Sequence, residues 1–185
     1  MIRWVIFIEC IVFLGAVAGF MLFQRWRDED AKAHYPIPRR PFVIGKITMG
    51  ISWGILPVQA ARGRLHTWPL PELRQYMAAL LLLVGTALSI AAFAKLGSRI
   101  GFGTSDGQKG LSTTGVYRIS RNPMFTGFYL VTLASMLAVP HLVNICCGIV
   151  TTAIHHRIVL AEERSLLEQY GADYEAYKHK VRRYL

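Results

Sequence analysis

Two short stretches of this 185-residue chain hold the side chains best suited to chemistry. In the first, Thr114-Gly115-Val116-Tyr117-Arg118-Ile119-Ser120-Arg121-Asn122-Pro123-Met124-Phe125-Thr126-Gly127, Asn122 reads as a helix N-cap and Pro123 as the first helical residue. A helix beginning there turns its unpaired amides and the positive end of its dipole outward, beside Arg118 and Arg121. That combination suits a carboxylate or a phosphate; a well-capped helix flanked by interfacial arginines is the plainer reading. Gly127, one turn in, allows another backbone or a ligand to approach closely.

The second stretch carries His155, His156, Arg157, Glu162, Glu163 and Arg164. Adjacent glutamates point about 100° apart on a helix, so one can face the bundle while the other meets water. His155 with Glu162, and His156 with Glu163, lie seven residues apart on a common face. Two juxtamembrane histidines without further histidine pairs fall short of a metal centre, and no metal is expected. The helix is expected to continue to Tyr170, with Gly171 as its C-terminal stop. Between the two stretches and what precedes them, six glycines from Gly97 to Gly115 alternate with Ser, Thr and Asp. They read as a polar loop, either a lid or a plain surface connection. Gly101-Phe102-Gly103 lacks the preceding strand and the third glycine of a dinucleotide fingerprint.

The elements that must position these residues are apolar helices. The chain is 53% apolar and 17% charged, with a net charge of +10, and its charges are excluded from long windows. Ile2 to Phe23, Phe42 to Ala61, Tyr76 to Ala94, Met124 to Val139 and Leu142 to Leu160 are read as five membrane spans. The first is longer than the apolar part of a signal peptide and is expected to be retained. Pro140 and His141 divide the last two into a tight hairpin. Lys46 lies inside the second span, where its long stem can carry the ammonium to the interface; Glu9, inside the first, is expected in a neutral or hydrogen-bonded structural role.

Five spans sort the remaining Lys and Arg residues unevenly. Sixteen fall on one side: Arg25, Arg27, Lys32, Arg39, Arg40, Lys95, Arg99, Lys109, Arg118, Arg121, Arg157, Arg164, Lys178, Lys180, Arg182 and Arg183. Four, Arg3, Arg62, Arg64 and Arg74, fall on the other. The positive-inside rule then places the amino terminus outside and the carboxyl terminus in the cytoplasm. Trp4, Trp26 and Trp68 stand at span ends, where indoles favour the interface. A topological cause for the basic excess removes the motive for nucleic-acid binding. Cys10, Cys146 and Cys147 read as small apolar residues within spans, with no redox or metal framework. The expected fold class is therefore all-α: a polytopic membrane bundle of about five transmembrane helices, the last two a hairpin, with a cytoplasmic C-terminal helical extension.

Gly115-x-Tyr117-x-x-x-Arg121-Asn122-Pro123-x-Phe125-x-Gly127, then Glu162-Glu163-x-x-Leu166, then Gly171-x-x-Tyr174-x-x-Tyr177-x-x-x-Val181-x-Arg183 resembles the isoprenylcysteine carboxyl methyltransferase family and its phospholipid methyltransferase relatives. The resemblance covers about the last 90 residues. It implies an integral membrane enzyme that uses S-adenosylmethionine. Carried over by position, Tyr117, Arg121, Asn122, Pro123, Glu162 and Glu163 form the cofactor pocket, with Gly115 and Gly127 giving backbone access. Asn122 stands where the family most often has His, and Phe125 where it most often has Tyr.

On this reading residues 1–95 form the first three transmembrane helices and residues 96–185 the catalytic region. Methyl transfer from a sulfonium is an in-line displacement, so the protein mainly positions and desolvates the partners. Glu163 near the cofactor pairs with its amino group, while Arg157 and Arg183 are the cations suited to hold an acceptor carboxylate by paired hydrogen bonds. The expected acceptor is lipophilic, a carboxylate such as a prenylcysteine-like group, and the expected surroundings are a lipid bilayer without nucleic acid or metal. The rival readings are a sterol-type membrane reductase using NADPH and a non-catalytic lipid-binding membrane subunit.

Overall fold

A computed structural model describes residues 1–27, 37–65, 71–99 and 111–185. The central part of the glycine-rich loop and Trp68 lie outside the described residues, and so does the lid expected of that loop. The described chain is helical, with no strand among the described residues: α1 (Ile2–Arg27), α2 (Arg39–Ala61), α3 (Pro71–Arg99), α4 (Pro123–Ala138) and α5 (Leu142–Lys180), with a 3₁₀ turn at Gly115–Arg118. The all-helical bundle expected from the sequence is thus the observed one. The helices α1, α2, α3 and α5 are long and apolar enough to cross a membrane. The 16 residues of α4 reach only about 24 Å, short of a hydrocarbon core of about 30 Å.

The bundle is apolar outside and partly polar inside, as expected where lipid replaces water. Ile8, Ile11, Ile47, Ile51, Leu80 and Leu83 face outward, while Ser52, Ser89, Thr132, Ser135, Asn144 and Thr151 are buried. The buried polar groups join helices. Trp53 Nε1 donates to Thr132 Oγ1 at 3.0 Å, Ser135 Oγ to the Ser52 carbonyl at 2.5 Å, Asn144 Nδ2 to the Ser135 carbonyl at 3.0 Å, and Thr151 Oγ1 to Thr48 Oγ1 at 2.8 Å. Interhelical bonds of this kind, with close backbone packing, replace the hydrophobic drive that lipid removes. Around them Phe13, Trp53 and Phe128 pack edge to face, with centroids 4.8 to 6.1 Å apart.

The closest approach is between α3 and α4. A Cβ placed on Gly127 would lie 2.5 Å from the Gly85 carbonyl oxygen and would collide with Ser89 Oγ. Gly127 therefore admits the backbone of α3, one of the two uses its position suggested. Cys10 is buried as expected, but Cys146 faces outward, because α5 turns that side away from its neighbours. Glu9 is partly buried, and its Oε2 has no hydrogen-bond partner among the described residues. Lys46 is half-buried over the ring of Phe42, 5.4 Å from its centroid, and within electrostatic reach of Glu162.

Gly171 does not end α5. It takes φ +48° and ψ −120°, and a second helical segment runs on to Lys180. A left-handed φ suits glycine alone among common residues, so the stop expected there is a kink. The kink directs Tyr174 and Tyr177 back onto the bundle end where α4 begins.

Candidate functional site

The chain enters the site through Gly115, at φ +65°, and the 3₁₀ turn that follows it. Asn122 occupies the N-cap position of α4 and Pro123 its first turn, as the sequence suggested, but the Asn122 side chain does not cap. Its Nδ2 donates instead to Glu163 Oε1 at 2.9 Å and to the Arg183 carbonyl at 3.3 Å. The helix start is held by Thr126, whose amide and hydroxyl both donate to the Asn122 carbonyl at 2.9 Å.

Glu163 is the hub of this arrangement. It accepts from Arg121 Nε at 3.1 Å and Nη2 at 3.4 Å, from Asn122 Nδ2, and from Arg183 Nε at 2.9 Å. The Arg121 and Glu163 side chains are 7% and 8% exposed, so water cannot substitute for either partner. Arg121 also donates through Nη1 to the carbonyls of Lys178 and Val181, the unpaired oxygens at the end of α5 where a cation is favoured. Its amide donates to the Arg182 carbonyl at 2.9 Å, and Ser120 Oγ donates to the Arg183 carbonyl at 3.1 Å. Residues 181–185 are thereby stitched across the starts of α4 and of the α5 extension. Tyr184 completes the stitch, its hydroxyl 2.7 Å from His156 Nδ1 and 3.4 Å from the Tyr129 hydroxyl.

In front of this latch lies a cavity of about 410 Å³, within the range of small-molecule sites. Its apolar wall includes Leu96, Leu111, Met124, Phe125 and Leu166; its polar wall includes Ser112, Tyr117, Arg121, Asn122, Glu162 and Tyr174. Glu162 lies beyond the apolar part of α5, which ends at Leu160, and has no hydrogen bond or ion pair among the described residues. Burial pushes its carboxyl up to about 7, with Lys46 pulling the other way. Burial, with Glu163 adding to it, pushes the Tyr174 phenol up to about 12, which keeps it a neutral donor. Burial also raises the Tyr177 phenol, whose hydroxyl donates to the Tyr117 carbonyl at 2.6 Å.

The residues singled out in the sequence divide into three groups. Tyr117, Arg121, Asn122, Pro123 and Glu162 line the cavity. Glu163 and Arg183 join each other behind its wall, and Gly115 and Gly127 shape the backbone around it. Arg157 is exposed on α5, and Arg118 is exposed on the 3₁₀ turn; neither lines the cavity. The glutamates do split: Glu163 is buried against the folded-back tail, while Glu162 is half-buried and lines the cavity. His155 and His156 have bonds to the Thr151 carbonyl and to Tyr184. Among the described residues no group of three or more His, Cys, Asp or Glu is placed to hold a metal. Sequence reasoning missed Tyr174 and Ser112 as cavity groups. The spacing of Tyr174 and Tyr177, three residues apart after Gly171, was the only local signal of a shared face.

A helical bundle with four helices of membrane-crossing length and a polar-walled cavity at one end marks an integral membrane protein. A family model described as phospholipid methyltransferase matches residues 73–173, more than half of the chain, and the chain belongs to that family. It is accordingly a membrane methyltransferase, which decides against the reductase reading. No curated protein and no solved structure gives a match.

Proposed function

We propose that the protein transfers a methyl group from S-adenosylmethionine to a lipophilic acceptor, with residues 96–185 as the catalytic region and the cavity on the cytoplasmic face. The observation that carries this reading is Glu162, which lines the cavity beside the start of α4 without a hydrogen bond or ion pair among the described residues. A carboxyl left so beside a cavity fits a polar ligand carrying a cationic group.

S-adenosylmethionine, when bound, supplies a methyl group on a sulfonium already activated for displacement. The chain's own residues do the rest. Ionised Glu162 attracts a cationic group into a low-dielectric cavity, while Arg121 and the first amides of α4 suit a carboxylate. Leu96, Leu111, Met124 and Leu166 exclude water from the space between them. Glu163 and Arg183 act as positioning residues, holding Asn122 and Arg121 through the latch. Arg157, exposed and without an ion pair among the described residues, is the cation left to hold an acceptor carboxylate.

The unpartnered Glu162 supports a second reading of the acceptor. A carboxylate that titrates near neutrality can take the proton of an ammonium head and leave the amine free to attack, which an amine-headed lipid requires. Incubating the purified protein with methyl-tritiated S-adenosylmethionine and a total membrane extract tests the proposal. Label entering the lipid fraction is expected. Release of that label by mild base identifies a methyl ester and a carboxylate acceptor; base-stable label identifies an N-methyl product. No transfer to lipid, with transfer absent from every fraction, contradicts the proposed activity.

A further inference from the structure

Lys46 is the one charged residue in the apolar window of α2, and it belongs neither to the latch nor to the cavity wall. It lies on the face of α2 that carries Trp53, seven residues on, whose indole packs 5.0 Å from the Phe128 ring inside the bundle. Its stem leans toward the N-terminus of α2, as helical side chains do, and sets the ammonium over Phe42. From α5, His155 packs on the same Phe128 at 6.4 Å and on Phe125, a cavity residue, at 5.9 Å. The two helices are held side by side here by the bond from Thr151 Oγ1 to Thr48 Oγ1.

Three polar groups meet at this junction without satisfying one another. His155 is 2% exposed, and its Nδ1 lies 2.8 Å from the Thr151 carbonyl. A carbonyl only accepts, so Nδ1 carries the proton and the neutral ring leaves Nε2 as a bare acceptor. Glu162 follows on the same face of α5, about 10 Å along the helix. Lys46 acts electrostatically on both, yet it makes no ion pair or hydrogen bond among the described residues, and His155 Nε2 has no partner among them. A flexible lysine so close to a carboxylate in a low-dielectric interior would close onto it if packing were the only demand. The ring of Phe42 offsets part of the cost of the charge, and an intramembrane cation left otherwise unpaired points to a ligand.

We propose that Lys46 and His155 form the head-group subsite of the methyl acceptor, Lys46 pairing with an anionic group on that head and His155 Nε2 accepting a hydrogen bond from its N–H. This rests on the reading of the protein as a methyltransferase with a lipophilic acceptor. Glu162 borders both the subsite and the cavity, so a head held by Lys46 presents its reacting atom toward the cofactor space. Lys46 lies outside residues 73–173, the part of the chain that the family model matches, which makes it a place where this chain sets its own acceptor preference.

The test follows tritium from methyl-labelled S-adenosylmethionine into the lipid fraction of a total membrane extract, titrated in mixed micelles. Full-length wild type, Lys46→Gln, Lys46→Arg and His155→Phe are compared, with melting temperature and calorimetric affinity for S-adenosylhomocysteine measured alongside. Lys46→Gln is expected to raise the KM for extract lipid about tenfold, the loss of one charged contact, while kcat and S-adenosylhomocysteine affinity stay within about twofold of wild type. Lys46→Arg, which keeps the charge, is expected to recover most of that loss, and His155→Phe to raise KM several-fold. Base-stable label on a phosphate-bearing lipid identifies the anion as a phosphate; label released as a methyl ester identifies it as a carboxylate. Lys46→Gln with a wild-type KM, or with S-adenosylhomocysteine affinity falling in step with KM, overturns the subsite and leaves the methyltransferase reading in place. An acceptor whose head carries no anionic group does the same. Wild type that transfers no label overturns both.

Discussion

Glu162 and Glu163 are neighbours on one helix, yet they belong to regions built on opposite terms. Around Glu163 every charge is met: two arginines and an asparagine donate to its oxygens, and the carbonyls ending α5 take the two Nη1 donors of Arg121. Around Glu162 the carboxyl lines a cavity and receives no hydrogen bond or ion pair among the described residues. A satisfied network holds one geometry; an unsatisfied one waits for a partner. The comparison teaches that adjacent acidic residues, equal as letters in the sequence, divide the work of a site. One fixes the frame and the other faces the ligand.

The largest effect should come from breaking the frame. Glu163→Ala leaves Arg121 buried and unpaired, and loss of one partner of a buried pair costs about 3–5 kcal/mol. The 36% exposure of the Arg183 side chain argues for the lower end. Denaturant unfolding in mixed micelles would measure it, and a change below about 1 kcal/mol would show that the latch is no frame. Next comes Gly127→Ala, where the new methyl must push α4 from α3, at about 1–3 kcal/mol. Full stability with weakened ligand binding would instead make Gly127 a point of ligand access.

Glu162→Gln should leave the frame standing and change its pH dependence. A carboxyl that keeps its proton up to about 7 in the folded protein favours the fold while protonated. That advantage is complete at low pH and disappears as pH rises from the ordinary carboxylate value of 4.5 to about 7. The ligand-free wild type should therefore lose melting temperature across that interval relative to Glu162→Gln; parallel curves would place the Glu162 carboxyl in water. The smallest effect on stability belongs to Arg157→Ala, within about 0.5 kcal/mol for an exposed position. Methyl transfer to a carboxylate acceptor should nonetheless fall, and unchanged transfer would remove Arg157 from the site.

Much of the frame was legible before any coordinates. Apolar windows located the first four helices and the start of α5 to within about five residues, and Asn122-Pro123 marked where α4 begins, because both follow from local rules of helix entry and hydropathy. What escaped was set by contacts distant in sequence. Nothing near Asn122 announces that its amide will turn to Glu163 instead of its own helix. Nothing near Gly171 reveals that the chain bends there and resumes, which brings Arg183 onto Glu163 and Tyr174 into the cavity. Gly127 was read as leaving room, correctly, but whether for a ligand or for α3 depended on the partner helix. The adjacent glutamates were distinguishable only by the 100° between their directions, and the tail that covers Glu163 lay outside any helical-wheel argument.

The central claim is that Glu162 faces a cofactor cavity which the Glu163 latch holds open. Calorimetric titration of S-adenosylhomocysteine into detergent-purified wild type and Glu162→Gln at pH 8 tests it most directly, since Glu162 is then ionised. Saturable binding to the wild type, weakened at least about tenfold in Glu162→Gln at an unchanged or higher melting temperature, is the predicted result. Absence of binding to the wild type, or equal affinity in both proteins, would contradict it.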